Sequence, residues 1–159
     1  MSGSGAGGAG AGGSAAAGSG ATPCVIRVGS SAGAAAPAPI SGVTGMATFT
    51  NLGPSVELSI ALTGCTSGKN YPFHIHEGTS CTDAMSQGAH WDPPRGEGIP
   101  DIPCSGGVAA TVYMRETSDA KPWTVGDPAA SNVIGHVVVV HDPDDPMKRI
   151  SCGQIKAQK

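Results

Sequence analysis

Five histidines carry most of the chemical potential of this 159-residue chain: His74, His76, His90, His136 and His141. His74 and His76 form an H-x-H. Side chains alternate between faces along a β-strand, so both imidazoles project from one side, close enough to share an ion. His90 stands in Gly88-Ala-His-Trp-Asp-Pro93, within a long irregular stretch from which a loop histidine can fold back to complete a site. His136 and His141 bracket the run Val137-Val-Val-Val140. An odd offset sends them to opposite faces of one strand, so only one of the two can join His74 and His76. Four neutral imidazoles suit copper or zinc; calcium and magnesium want oxygen. On spacing alone, histidines that cap strand ends and bond loop carbonyls explain the pattern about as well.

The elements that must position these residues show a period of two. Val56, Leu58, Ile60 and Leu62 alternate with Glu57, Ser59 and Ala61, the mark of a half-buried strand. Residues 43–49 read as its hairpin partner across the turn Asn51-Leu-Gly-Pro54. Further strands are predicted over 24–28, 71–76, 108–114, 134–141 and 150–155, and no window carries a helical period. Seven or eight short strands punctuated by Gly and Pro indicate an all-β fold, a β-sandwich or a Greek-key barrel. Residues 77–103 and 115–132 remain irregular, and structureless segments of that length are usually functional.

Composition divides the chain. Residues 1–23 hold nine Gly, seven Ala and four Ser and no charged side chain. They have little to bury against the entropy of ordering and read as a flexible segment or tether, which leaves one domain over 24–159. The formal net charge is -3, with Lys and Arg scattered singly, which argues against nucleic acid or an anionic membrane surface as a partner. No apolar stretch approaches the roughly 20 residues of a spanning helix, and no signal peptide is visible in the chain. Cys24, Cys65, Cys81, Cys104 and Cys152 stand singly, with no C-x-x-C. Isolated cysteines in a small, weakly aromatic domain point to disulfides and an oxidising, extracytoplasmic compartment.

Four motifs, in order, resemble the copper/zinc superoxide dismutase family: Phe73-His-Ile-His-Glu-Gly78, Gly88-Ala-His-Trp-Asp-Pro93, Gly135-His-Val-Val-Val-Val-His-Asp142 and Arg149-Ile-Ser-Cys-Gly153. The hairpin Gly42-Val-Thr-Gly-Met-Ala-Thr-Phe49 is similar as well. The resemblance covers about 24–159. It implies an eight-stranded Greek-key β-barrel with copper held by long loops outside its wall. It assigns the copper ligands to His74, His76, His90 and His141, leaves His136 out, and makes Arg149 the active-site arginine. It also pairs Cys81 with Cys152 as a loop-anchoring disulfide, and implies that His90 releases and rebinds the metal during turnover.

The chain departs from the family at two places. In most members the residue matching His90 bridges copper and zinc, and two further histidines complete the zinc site. Here no histidine occurs between His90 and His136. Only Asp142-Pro-Asp-Asp-Pro-Met-Lys148 separates His141 from Arg149, where the family carries a long charged loop. Both departures resemble the family's copper-only branch and imply one copper per chain, with zinc not expected. Without zinc, a neighbouring carboxylate must hold the other nitrogen of His90, and Glu97 and Asp101 are the nearest candidates in sequence. Cys65 and Cys104 could form a second disulfide tying the 77–103 segment to the barrel, with Cys24 left over. The expected function is dismutation of the superoxide anion, in a chain whose oligomeric state is open, with a monomer slightly favoured. The alternatives are copper storage without turnover and a structural zinc β-sandwich.

Overall fold

The computed structural model describes residues 23–28, 42–91, 98–116 and 118–157, the first of these segments as backbone alone. Among them are nine strands: β1 (Pro23–Val28), β2 (Thr44–Asn51), β3 (Ser55–Thr63), β4 (Asn70–Tyr71), β5 (Phe73–His76), β6 (Ile102–Ser105), β7 (Val108–Glu116), β8 (Val137–His141) and β9 (Arg149–Gln154). One helical turn, α1 (Ala84–Gln87), lies between β5 and β6. The six-stranded sheet has the order β1-β2-β3-β7-β6-β4 and the three-stranded sheet the order β5-β8-β9. Every ladder is antiparallel.

Alternation drives the packing. Phe49, Leu58, Ile60 and Leu62 from the large sheet meet Phe73, Ile75, Val138 and Val140 from the small one in a single buried cluster. Each of these side chains contributes roughly 2 kcal/mol through burial. Trp123, from the segment between β7 and β8, packs edge-on to Phe49 with ring centroids 5.5 Å apart. Strands β1 and β9 run close at one side, with no ladder between them among the described residues. The fold is therefore a two-sheet sandwich and not a closed barrel.

The β2–β3 hairpin pairs Asn51 with Val56, and Gly53 supplies the positive φ of its turn (φ 90). The single strand expected over 71–76 is divided. Tyr71 belongs to β4 and pairs with β6 in the large sheet, whereas Phe73 begins β5 in the small one. Pro72 stands at the break because it has no N–H to give to either ladder. Its carbonyl accepts from the His141 amide at 2.8 Å, which ties the start of the H-x-H strand to the end of β8. Helix α1 lies within the segment expected to be irregular, residues 77–103, and β6 begins at its end. The Gly/Ala/Ser-rich segment falls almost wholly outside the described residues.

Candidate metal centre

Strand β5 sends Phe73 and Ile75 into the core, and His74 and His76 to the opposite face of the small sheet. Across the ladder His74 pairs with Val139 and His76 with Val137, so the outer face of β8 presents Val137, Val139 and, by the same parity, His141. His90 joins them through the backbone. Gly78 N–H donates to the Gln87 carbonyl, Glu77 N–H to Ala89 and Trp91 N–H to Ile75, at 2.8 to 2.9 Å. The loop thus lies along β5 like a further strand, with His90 opposite His76.

The ligand nitrogens of His76, His90 and His141 lie within 4.8 Å of one another. The His74 ring stacks on His90 at 4.0 Å between centroids and stands edge-on to His141 at 5.4 Å. The four imidazoles therefore form one cluster, with three of them contributing the converging donor set. His136 is elsewhere: its ring packs on Trp91 at 4.4 Å.

The Gly88 carbonyl accepts from Nδ1 of His76 at 3.0 Å. That bond places the His76 proton on Nδ1 and leaves Nε2 with a lone pair. The Nε2 atoms of His76 and His141 are 3.2 Å apart. In the metal-free chain they share the proton of His141, whose buried Nδ1 then has no hydrogen-bond partner. The Pro146 carbonyl favours the protonated form of His141, although the contact falls short of a hydrogen bond. A bound cation would resolve both defects: His76 and His141 would each offer it an Nε2 lone pair, and the proton of His141 would reside on Nδ1. The donor set thus fits an imidazole-binding metal such as copper or zinc. Burial pushes His76 down to about 3 and His141 down to about 4, so both are neutral, as ligation requires.

Arg149 reaches the same face through a β-bulge. Val140 pairs with Ser151 but His141 pairs with Arg149, so β9 carries Ile150 as an extra residue. Ile150 packs into the core, and Arg149 is re-aimed beside His141. Because the extra residue lies in β9, the alternation of β8 is undisturbed. The guanidinium donates to the carbonyls of Ala84 at 2.7 Å and Gly88 at 2.8 Å, and to the amide oxygen of Gln87 at 3.1 Å. Gly88 therefore serves His76 and Arg149 together. Burial lowers the Arg149 pKa from its ordinary value, which leaves a guanidinium charged. Lys148, the next cation along the chain, is paired with Asp142 at 2.7 Å, and that hydrogen bond holds the Asp142 carboxyl below its usual range.

The segment that supplies these acceptors is built by local rules. Asp83 caps α1 by accepting from Ser86 N–H, and the Ser86 hydroxyl closes the box on Asp83 N–H. Gly78 permits the close approach of β5 and α1, since a Cβ there would meet Ser86 O at 2.0 Å. Gly88 ends the turn at φ +72. The disulfide Cys81–Cys152 fastens this segment to β9 across 71 residues of sequence, and Cys65–Cys104 joins the β3–β4 connection to β6.

Asp101 is exposed, just ahead of β6; Glu97 and the side chain of Cys24 lie outside the described residues. Sequence reasoning missed Gln87, Ala84 and Gly88 as the seat of Arg149. The available signal was Asp83 three residues before Ser86 with Gly88 close behind, a start and a stop for one helical turn.

A family model described as copper/zinc superoxide dismutase matches residues 43–158. No curated protein matches the chain.

Proposed function

Because this chain belongs to the copper/zinc superoxide dismutase family, we propose that it is a copper-dependent superoxide dismutase with one copper per chain and no zinc. The observation that carries this reading is the convergence of three imidazole donors within 4.8 Å beside a guanidinium that, among the described residues, donates to neutral oxygens. Copper, when bound, supplies a reversible one-electron change, oxidising one superoxide to oxygen and reducing the next to peroxide with two protons. The chain does the rest. His76 and His141, kept neutral by burial, offer rigid lone pairs. His90, exposed on its loop, is the imidazole best placed to exchange a proton with solvent. Arg149 attracts the anion locally, against a net charge of -3. His74, stacked on His90, is proposed as the fourth ligand.

The absence of histidine between His90 and His136 supports the copper-only form. Two disulfides and the compartments in which such bonds persist support an extracytoplasmic location. No helix among the described residues is long and apolar enough to cross a membrane. Elemental analysis of the purified protein, with a superoxide consumption assay, tests the proposal. One copper per chain and rapid consumption are expected; a second, tightly held zinc would overturn the one-metal form.

Copper storage on the same fold is the second reading, favoured by the neutralisation of Lys148, the cation next to Arg149, by Asp142. Arg149→Ala separates the two. For a dismutase, the second-order rate should fall about tenfold and lose much of its ionic-strength dependence, with copper content unchanged. Copper content and rate both at the wild-type level would favour storage.

A further inference from the structure

The three acceptors on Arg149 differ in kind. Ala84 and Gly88 offer backbone carbonyls that any residue would provide; Gln87 offers a side chain. That side chain belongs to a residue only 4% exposed, at the end of a helical turn capped by Asp83 and Ser86. Its backbone is held as well, since the Gln87 carbonyl accepts from Gly78 N–H at 2.9 Å. A buried amide in so constrained a place has little freedom to point elsewhere. We propose that Gln87 is a positioning residue for Arg149, holding the guanidinium against the Gly88 carbonyl without neutralising its charge.

The chemistry turns on amide against carboxylate. Lys148 is paired with Asp142, and Lys69 with Asp144. Each of these cations is fixed by a group that cancels its charge. A glutamate at position 87 would fix Arg149 equally well, and the field drawing an anion toward the histidine cluster would collapse. Glutamine gives the same oxygen at the same reach with no formal charge. Its hold also acts on a ligand. Arg149 Nη1 is shared by Ala84 and Gln87, which leaves Nη2 aimed at the Gly88 carbonyl, the acceptor that sets the His76 tautomer. Position 87 therefore decides both where the cation sits and how much of its charge a small anion meets. The inference rests on the dismutase reading for its consequence in turnover, but not for the hold itself.

Two variants of the full chain separate position from charge. Gln87→Met keeps the volume and removes the acceptor; Gln87→Glu keeps the acceptor and adds a charge. The first readout is the side-chain nitrogen spectrum of Arg149 in the metal-free protein, where a clamped guanidinium gives separate terminal-nitrogen signals and a free one averages them. Wild type and Gln87→Glu should show the clamped pattern, and Gln87→Met the averaged one. The second readout is the superoxide rate of the copper-loaded protein against ionic strength. Gln87→Met should lower the rate several-fold. Gln87→Glu should lower it about tenfold and flatten its salt dependence. A clamped guanidinium in Gln87→Met, or a wild-type rate and salt dependence in Gln87→Glu, would overturn the inference. If Gln87→Met does not fold, Gln87→Asn, an amide too short to reach, takes its place with the same expectations. A wild type that binds copper and consumes no superoxide would sink the dismutase reading, while the metal-free spectra still decide whether Gln87 holds Arg149.

Discussion

The inner face of the three-stranded sheet carries Phe73, Ile75, Val138 and Val140; its outer face, one residue along each strand, carries His74, His76, Val137, Val139 and His141. Both faces are dry. Ile75 and Val140 are 0% exposed on one side, and His76 is 0% and His141 3% exposed on the other. What differs is the cover. The large sheet covers the inner face with side chains that need no partner. The outer face is covered by α1 and the Cys81–Cys152 bridge, with Cys81 packed on Val137, Val139 and Cys152. That cover brings its own acceptors, the carbonyls of Ala84 and Gly88 and the amide of Gln87. The inner face stabilises by excluding water. The outer face uses the same exclusion to keep two imidazoles neutral and to preserve the field of one guanidinium.

The contrast breaks most sharply at neighbouring residues of β8. His141→Ala should reduce copper affinity and superoxide turnover by more than about 100-fold, beyond the loss typical of removing a residue that merely orients a ligand. Copper titration and rate measurement check this, with the far-ultraviolet β signal retained. Val140→Ala, one residue earlier and facing inward, should cost about 2 kcal/mol in denaturant unfolding. Turnover per bound copper should stay near wild type. If both variants lost copper equally, the two faces would not be separable.

Acid distinguishes the faces without mutation. His76 and His141 titrate near 6.5 in the unfolded chain but at about 3 and about 4 when folded. As pH falls below 6.5 the unfolded chain gains protons that the folded chain refuses, so the metal-free protein should lose stability down to about pH 4, and further as His76 approaches its own value. Thermal melts across this range check the sign. Bound copper competes with protons for the same lone pairs, so the loaded protein should hold its melting temperature to lower pH. The smallest effect belongs to His136→Gln. Its ring lies on Trp91, away from the donor set, so copper content and rate should be nearly unchanged, with at most a modest drop in melting temperature.

Much of this organisation is local and therefore legible in one dimension. Alternation is a property of a single strand, so the shared face of His74 and His76 and the inward set of β3 follow from residue order alone; the strand expected over 134–141 begins only at Val137, so His136 stands outside it and its separation from His141 is not a matter of alternation. The four motifs that resemble the dismutase family pointed to the same cluster, and a family model matches the chain over 43–158. Other features depend on what lies across the ladder or across the fold. Nothing in Arg149-Ile-Ser-Cys announces that Ile150 is an extra residue; the bulge exists because β9 must satisfy β8 on one side while burying Ile150 in the core. Without it Arg149 would face inward. Pro72 signals a break, but only the assembled sheets decide that Tyr71 and Phe73 part company. The pairing of four cysteines in two disulfides and the seat of Arg149 on Gln87 likewise join segments 39 to 71 residues apart, where chain order leaves many closures open and packing selects among them. Sequence by itself determined which residues could bind a metal and which face of each strand they share. Tertiary structure decided which of their nitrogens converge, and which neutral oxygens hold the cation beside them, because both depend on contacts made only when distant segments are packed onto one face.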